Sequence, residues 1–144
     1  MRRYLVVAHR TLDSHELAEA IHDRMAEGPS RFHLVVPEDH GHGLLWDEGS
    51  VRVEAERALE ENRLRMTMEG IPVTGEVGHG GPVLATRDVL AREKRDGHEP
   101  FDEIIVSTLA PSASRWIGMD VPARIRRLAP EIPVTHIIAA RERV

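Results

Sequence analysis

The residues best suited to chemistry form one run of hydroxyl and basic side chains in the last third of the sequence. Four hydroxyls and a guanidinium occur there within nine residues: Ser107, Thr108, Ser112, Ser114 and Arg115. Such groups bind phosphate and other anions, so the run is a candidate site for a nucleotide or another anionic ligand. The alternative, which we favour from the residues alone, is a surface loop whose Ser and Thr side chains satisfy nearby backbone groups.

The elements around this run place it at one edge of a parallel sheet. The apolar residues Ile104, Ile105 and Val106 precede it, and a short basic helix over 121–129 follows. A continuous apolar run between turn residues is typical of a strand buried on both faces of a parallel sheet. In open α/β sheets, ligands bind beyond the carboxyl ends of such strands. The loop over 107–120 is therefore predicted to form one wall of any small-molecule site.

The rest of the chain alternates between strand and helix patterns. Strands are predicted over 4–8, 32–36 and 73–77, around 104–106 and from 134 onward; helices are predicted from Asp13 or Ser14 to about 27, from a cap at Ser50 to about 69, over 82–95 and over 121–129. This alternation implies right-handed crossovers and a three-layer α/β/α fold with a five-stranded parallel sheet, in one domain over residues 1–144. Alternate polar residues in the third strand predict an edge strand.

Composition narrows the class of function. The 144 residues carry a net charge of −5, which argues against nucleic acid as a main partner. There is no cysteine, so disulfides and thiolate chemistry are excluded and a reducing compartment is compatible. No apolar run reaches the length of a membrane span, and the run near the N-terminus is too short for a signal peptide. A cytoplasmic protein without a membrane partner is expected.

Histidines beside an acidic residue raise a metal hypothesis. His40 and His42 follow Asp39 on a glycine-rich segment, and His33 and His79 could add to them. Zinc needs three or four convergent ligands, whereas His-x-His on a loop supplies two. A solvated loop is the favoured interpretation, and no metal site is predicted.

Asp120 and a few apolar residues have mainly structural interpretations. Asp120 is predicted to cap the helix that carries Pro122 in its first turn. The trio Leu44, Leu45 and Trp46, like Trp116, could form a lid, a partner surface or ordinary packing. Because no nucleophile elbow, Walker loop or paired-carboxylate motif occurs, no catalytic residue is predicted.

Three stretches resemble the universal stress protein family. They are YLVVAHRTLDSHELAEAI from Tyr4, VGHGGPVLATRDVLA from Val77 and FDEIIVSTLAPSASRWIGMDVPARIRRLAPEIPVTHII from Phe101. The first is similar to the family's opening strand and helix, and the second to its third strand with the following helix. The third is similar to the family's closing strand, phosphate loop, helix and last strand. The resemblance implies a Rossmann-like, adenine-nucleotide-hydrolase-like fold with strand order 3-2-1-4-5. It also implies a homodimer through the last strand, here Val134–Ala139.

The sequence departs from the family where ATP would bind. Nucleotide-binding members carry G-x2-G-x9-G-[ST] after the fourth strand, and those glycines let backbone N–H groups approach a triphosphate. With a loop one residue shorter, the matching positions here are Ser107, Ala110, Met119 and Asp120. No glycine is kept, and Asp120 puts a carboxylate where a phosphate oxygen would lie. The family's acidic residue after the first strand is replaced by Arg10 or His9.

The resemblance and its departures lead to three functional hypotheses. The first is a non-enzymatic universal-stress-protein-like domain with a degraded ATP loop, no resident cofactor and a regulatory or stress-response interaction role. The second is a binding module for ATP, AMP or another anionic small molecule. The third is a hydrolase or transferase, for which the sequence offers no residue set. The candidate ligand residues are His9, Arg10, Thr11, Val36, Gly78, Ser107, Thr108, Ser112, Ser114 and Arg115.

Overall fold

Five parallel strands form one sheet in the computed structural model, which describes residues 1–38, 48–110 and 115–140. The strands are β1 (Arg2–Val7), β2 (Ser30–Pro37), β3 (Val73–Gly78), β4 (Glu103–Leu109) and β5 (Val134–Ala139). Their order is β3-β2-β1-β4-β5, and each neighbouring pair is parallel. The predicted α/β class and the 3-2-1-4-5 order are therefore confirmed, as is the position of β3 at an edge.

Helices cover both faces of the sheet. They are α1 (His15–Ala26), α2 (Glu48–Met68), α3 (Pro82–Arg95), α4 (Arg115–Gly118) and α5 (Val121–Leu128). On one face the strand residues pack with α1 and α2 residues such as Leu17 and Ala55. On the other face they pack with α3 and α5 residues such as Val89 and Ile125. Because β1 and β4 lie between both layers, nearly every side chain they carry is buried, which explains their continuous apolar sequences.

Two helix boundaries follow from local chemistry that the sequence displays. Ser14 caps α1, since its Oγ accepts a hydrogen bond from the Leu17 N–H at 3.2 Å. Pro82 occupies the first turn of α3 after an extended Gly81, where a missing N–H does no harm. Both starts are as predicted.

The prediction at Ser50 was wrong, and so was the capping role of Asp120. Helix α2 begins at Glu48, so Ser50 lies inside its first turn. Asp120 precedes α5, but its backbone is left-handed (φ 55°, ψ 41°) and its side chain makes no capping hydrogen bond. Asp tolerates this conformation better than most residues because its side chain is short and polar. Its carboxylate lies 3.9 Å from the Arg127 guanidinium instead.

The segment predicted as one long loop after β4 contains regular structure. Strand β4 continues through Ser107 and Thr108 to Leu109, and α4 starts at residue 115. Trp116 on α4 is buried with the α3 and α5 side chains, so ordinary packing is the interpretation that the structure supports for it. The trio Leu44, Leu45 and Trp46 lies outside the described residues.

No helix within the described ranges combines the length and apolarity needed to cross a membrane.

Gly78 ends β3 where that strand meets α3, and a side chain there would collide with the helix. A Cβ at position 78 would lie 2.3 Å from the Ala85 Cβ. Because Ala has no rotamer to change, the backbone would have to shift. We expect Gly78→Ala to lower the free energy of unfolding by roughly 1–3 kcal/mol in urea denaturation. Gly118→Ala, with nothing within 4 Å of the added Cβ, is the control. Equal stabilities for both variants would contradict this packing.

Candidate functional site

The carboxyl ends of β1 and β4 form the topological switch point of the sheet. These two strands are neighbours, yet the chain leaves β1 toward β2 on one side and leaves β4 toward β5 on the other. The connections therefore diverge and leave a crevice, which is where open α/β sheets bind ligands. The crevice is bordered by the β1–α1 connection, which carries His9, Arg10 and Thr11, and by the end of β4 at Ser107.

Thr11 and Ser107 meet across this switch point. Their hydroxyl oxygens lie 2.6 Å apart, and the residues are only 2% and 1% exposed. In a hydrogen bond of this length one hydroxyl donates and the other accepts, so each buried oxygen has a protein partner without a ligand. Two of the predicted ligand residues are thus brought together, and they are bonded to each other.

Thr108 lies on the opposite face of the sheet from Ser107, because successive strand residues point to opposite sides. Its hydroxyl donates to the Leu109 carbonyl at 3.0 Å, and its oxygen lies 2.7 Å from His136 Nε2. Burial, and after it the Arg126 guanidinium, lower the pKa of His136, which favours the neutral ring. The structure therefore separates Thr108 from the Thr11–Ser107 pair.

The remaining predicted ligand residues are dispersed around this edge. His9 is buried and Arg10 half-buried in the β1–α1 connection. The Val36 side chain belongs to the core under α1 and α2, and Gly78 ends the neighbouring β3. Ser112, Ser114 and the Arg115 side chain lie outside the described residues. So do Asp39, His40 and His42 of the metal hypothesis.

Glu38 is a buried carboxylate at this edge that the sequence did not reveal. Its side chain is 9% exposed, and Oε1 accepts a hydrogen bond from the Gly80 N–H at 3.0 Å. Oε1 also lies 3.1 Å from His79 Nδ1, and Oε2 lies 3.7 Å from an Arg52 nitrogen. Glu38 thus ties the end of β2 to the β3–α3 connection and to α2. The only signal was an acidic residue directly after a buried strand, which resembles ordinary loop composition.

His33 lies far from His79 and has other partners. It is four residues before Pro37, the partner of Gly78, or about 13 Å along the strand from that edge. His33 Nδ1 is 2.7 Å from Thr74 Oγ1, and Nε2 is 2.6 Å from Glu76 Oε2. Among the described residues there is no cluster of three or more His, Cys, Asp or Glu side chains that could hold a metal ion.

Glu76 is strongly biased toward its ionised form. Its carboxylate bonds to His33 and accepts two hydrogen bonds from Arg92, at 2.9 and 2.6 Å. The hydrogen bond with His33, followed by that with Arg92, outweighs partial burial and lowers the pKa of Glu76 to about 2. Glu76 is therefore a permanent acceptor at neutral pH.

Two solved structures of universal stress proteins match this chain over nearly their whole length. A protein of the family from Burkholderia pseudomallei shares 19% identity, with a TM-score of 0.60 and 94% of each chain covered. A family protein from Arabidopsis thaliana with AMP bound shares 16% identity, with a TM-score of 0.58, 96% of this chain covered and 92% of that one. The chain has the universal stress protein fold.

The resemblance stated from the sequence is thus confirmed at the level of the fold. No protein-family model and no curated protein matches the sequence. The universal stress protein likeness therefore rests on architecture, and function has to be argued from the residues of this chain.

The Thr11–Ser107 hydrogen bond can be tested through its effect on stability. Thr11→Val leaves the Ser107 hydroxyl buried without its partner, and Ser107→Ala does the same to Thr11, so each is expected to cost roughly 1–3 kcal/mol of unfolding free energy. The double variant removes both polar groups and should cost clearly less than the sum of the two. Urea denaturation of the wild type, the two single variants and the double variant gives the coupling free energy between the two hydroxyls. Strictly additive costs would contradict a direct bond.

Proposed function

We propose that the chain is a universal-stress-protein-like regulatory domain that acts through protein interactions and neither holds nor hydrolyses ATP in its switch-point crevice. The observation that carries this proposal is the Thr11–Ser107 hydrogen bond. Two of the hydroxyls predicted to contact a phosphate, Thr11 and Ser107, are buried and bonded to each other. This bond occupies the donor hydrogen of one of them, so at most one hydroxyl of the pair can donate to a phosphate while the bond persists.

The charges near the crevice support the same proposal. In the family resemblance, Asp120 matches the position where nucleotide-binding members supply a hydroxyl to the triphosphate, and Glu38 is a buried carboxylate after β2. Like charges repel, so each carboxylate disfavours a polyanion nearby. The Arg127 guanidinium is 3.9 Å from Asp120, but this pair is largely exposed and compensates weakly.

The proposed interaction begins with a second copy of the chain. Strand β5 lies at an edge of the sheet, where unpaired backbone N–H and C=O groups can pair with another strand. Ile138 on β5 is 45% exposed, which is unusual for a large apolar residue and suits a covered edge. We therefore propose a cytoplasmic homodimer that pairs through Val134–Ala139.

Binding of a mononucleotide or another small anion is the second candidate function. The observation that favours it is the Arabidopsis structure, which has AMP bound in a protein of the same fold. A ligand with one phosphate needs fewer backbone N–H contacts than a triphosphate, so it does not require every glycine of the family's motif. In this candidate, His9, Arg10 and Thr11 border the ligand from β1, and Ser107 borders it from β4. Ser112, Ser114 and Arg115 stay predicted contacts.

A thermal-shift series with ATP, ADP and AMP separates the two candidates. A ligand at a hundred times its dissociation constant adds about 2.7 kcal/mol to the stability of the folded state, which is readily measured. We expect no shift with ATP. A shift with AMP alone would favour the second candidate, whereas a shift with ATP would contradict the first. The double variant Met119→Gly/Asp120→Ser restores the glycine and the hydroxyl at two positions of the family's motif. If ATP stabilises this variant but not the wild type, Met119 and Asp120 account for the loss of ATP binding.

Light scattering tests the homodimer independently of any ligand. We expect the wild-type mass to be that of two chains. Ile138→Lys, which adds a charge to the β5 edge, should shift the protein toward the monomer. Met119→Lys changes an exposed apolar residue away from β5 and is the matched control. A wild-type protein that is monomeric at all concentrations would refute the proposed interface.

A further inference from the structure

Thr74, His33 and Glu76 form a continuous hydrogen-bonded chain across β2 and β3. His33 is paired in register with Thr74, and Glu76 lies two residues further along β3, on the same face as Thr74. The links are 2.7 Å from Thr74 Oγ1 to His33 Nδ1 and 2.6 Å from His33 Nε2 to Glu76 Oε2. A hydroxyl, an imidazole and a carboxylate in this order are the parts of an activated nucleophile.

The direction of the protons in this chain follows from Glu76. Because the pKa of Glu76 is lowered to about 2, its carboxylate can only accept a hydrogen bond at neutral pH. His33 Nε2 must therefore carry a hydrogen, and a neutral ring then has its lone pair on Nδ1. When the ring is neutral, the Thr74 hydroxyl donates to that lone pair. This is the arrangement in which an imidazole acts as a base on a hydroxyl.

A cavity of about 340 Å³ adjoins this hydroxyl, and Thr74 itself is exposed. It is lined by Arg3, Arg31, His33, Thr74, Glu93, His98, Glu99 and Phe101, and Glu93 is ion-paired with Arg3. The cavity lies toward the amino ends of the strands, away from the switch-point crevice. Its volume is within the usual range for small-molecule sites. Arg31 supplies a positive charge within the same space as the hydroxyl.

We propose that Thr74, His33 and Glu76 form a nucleophile–base–carboxylate triad that transfers the acyl group of a small ester to water. Thr74 Oγ attacks the ester carbonyl carbon while its proton passes to His33 Nδ1. The C–O bond to the alcohol then breaks, and the departing oxygen takes that proton. Water attacks the acyl-Thr74 ester in the same way, releasing the carboxylic acid and restoring the hydroxyl. Arg31 stabilises the negative oxygen that forms at each attack.

Glu76 has a positioning role in this reaction. It does not touch the ester, but it holds the His33 tautomer and stabilises the imidazolium that forms after each proton transfer. Arg92 bonds to the same carboxylate and fixes its orientation. The roles proposed for Glu76 and Arg92 do not depend on whether the switch-point crevice binds a nucleotide.

The test uses the full chain with p-nitrophenyl acetate, following nitrophenolate release and the mass of the protein. We expect Thr74→Val and His33→Gln each to lower kcat/KM by roughly 100-fold, and an acetyl group to appear on Thr74 in the wild type. His15→Gln is the control, because the His15 side chain is exposed on α1, lies 3.1 Å from the Glu19 carboxylate and is outside the triad.

Either of two results would contradict the proposal. A wild-type rate that Thr74→Val leaves unchanged, or acetylation confined to the amino terminus and Lys94, would show that Thr74 is not a nucleophile. Thr74→Val is expected to fold because the residue is exposed and Val favours strands. Circular dichroism checks this. Acetylation of Thr74 that disappears in His33→Gln supports the triad, whereas acetylation that persists unchanged contradicts base activation.

Discussion

The hydrogen bond between Thr11 and Ser107 joins the β1–α1 connection to strand β4 where the strand order reverses. Strands β1 and β4 are buried on both faces, and the connections that leave their carboxyl ends diverge. A phosphate between these connections would have to compete with a short bond between two buried hydroxyls.

The polar side chains discussed above lie in two groups at opposite ends of the sheet. At the carboxyl edge the Thr11 and Ser107 hydroxyls are bonded to each other, and Glu38 joins three segments. Toward the amino ends, His33, Thr74 and Glu76 form a chain beside a cavity, with an exposed hydroxyl at one end. A fold shared with universal stress proteins does not decide between such places, because function lies in the site and not in the scaffold.

Much of the fold could be predicted from the sequence because local and global signals agree. Buried strands appear as apolar runs, Ser14 and Pro82 are typical helix starts, and the alternation of elements implies a parallel sheet. The left-handed backbone at Asp120 could not be predicted, since it depends on the packing of α4 and α5. The site was harder still. Side chains 41 and 96 positions apart meet at His33–Thr74 and Thr11–Ser107, and strand register, which sets such contacts, is not visible in one sequence.

The most direct test of the closed crevice is a crystal structure of the chain grown with ATP and Mg²⁺. We expect Thr11 Oγ1 and Ser107 Oγ to remain within hydrogen-bond distance and no triphosphate to lie along residues 107–120. A triphosphate held there by main-chain N–H groups, with the two hydroxyls separated, would contradict this expectation.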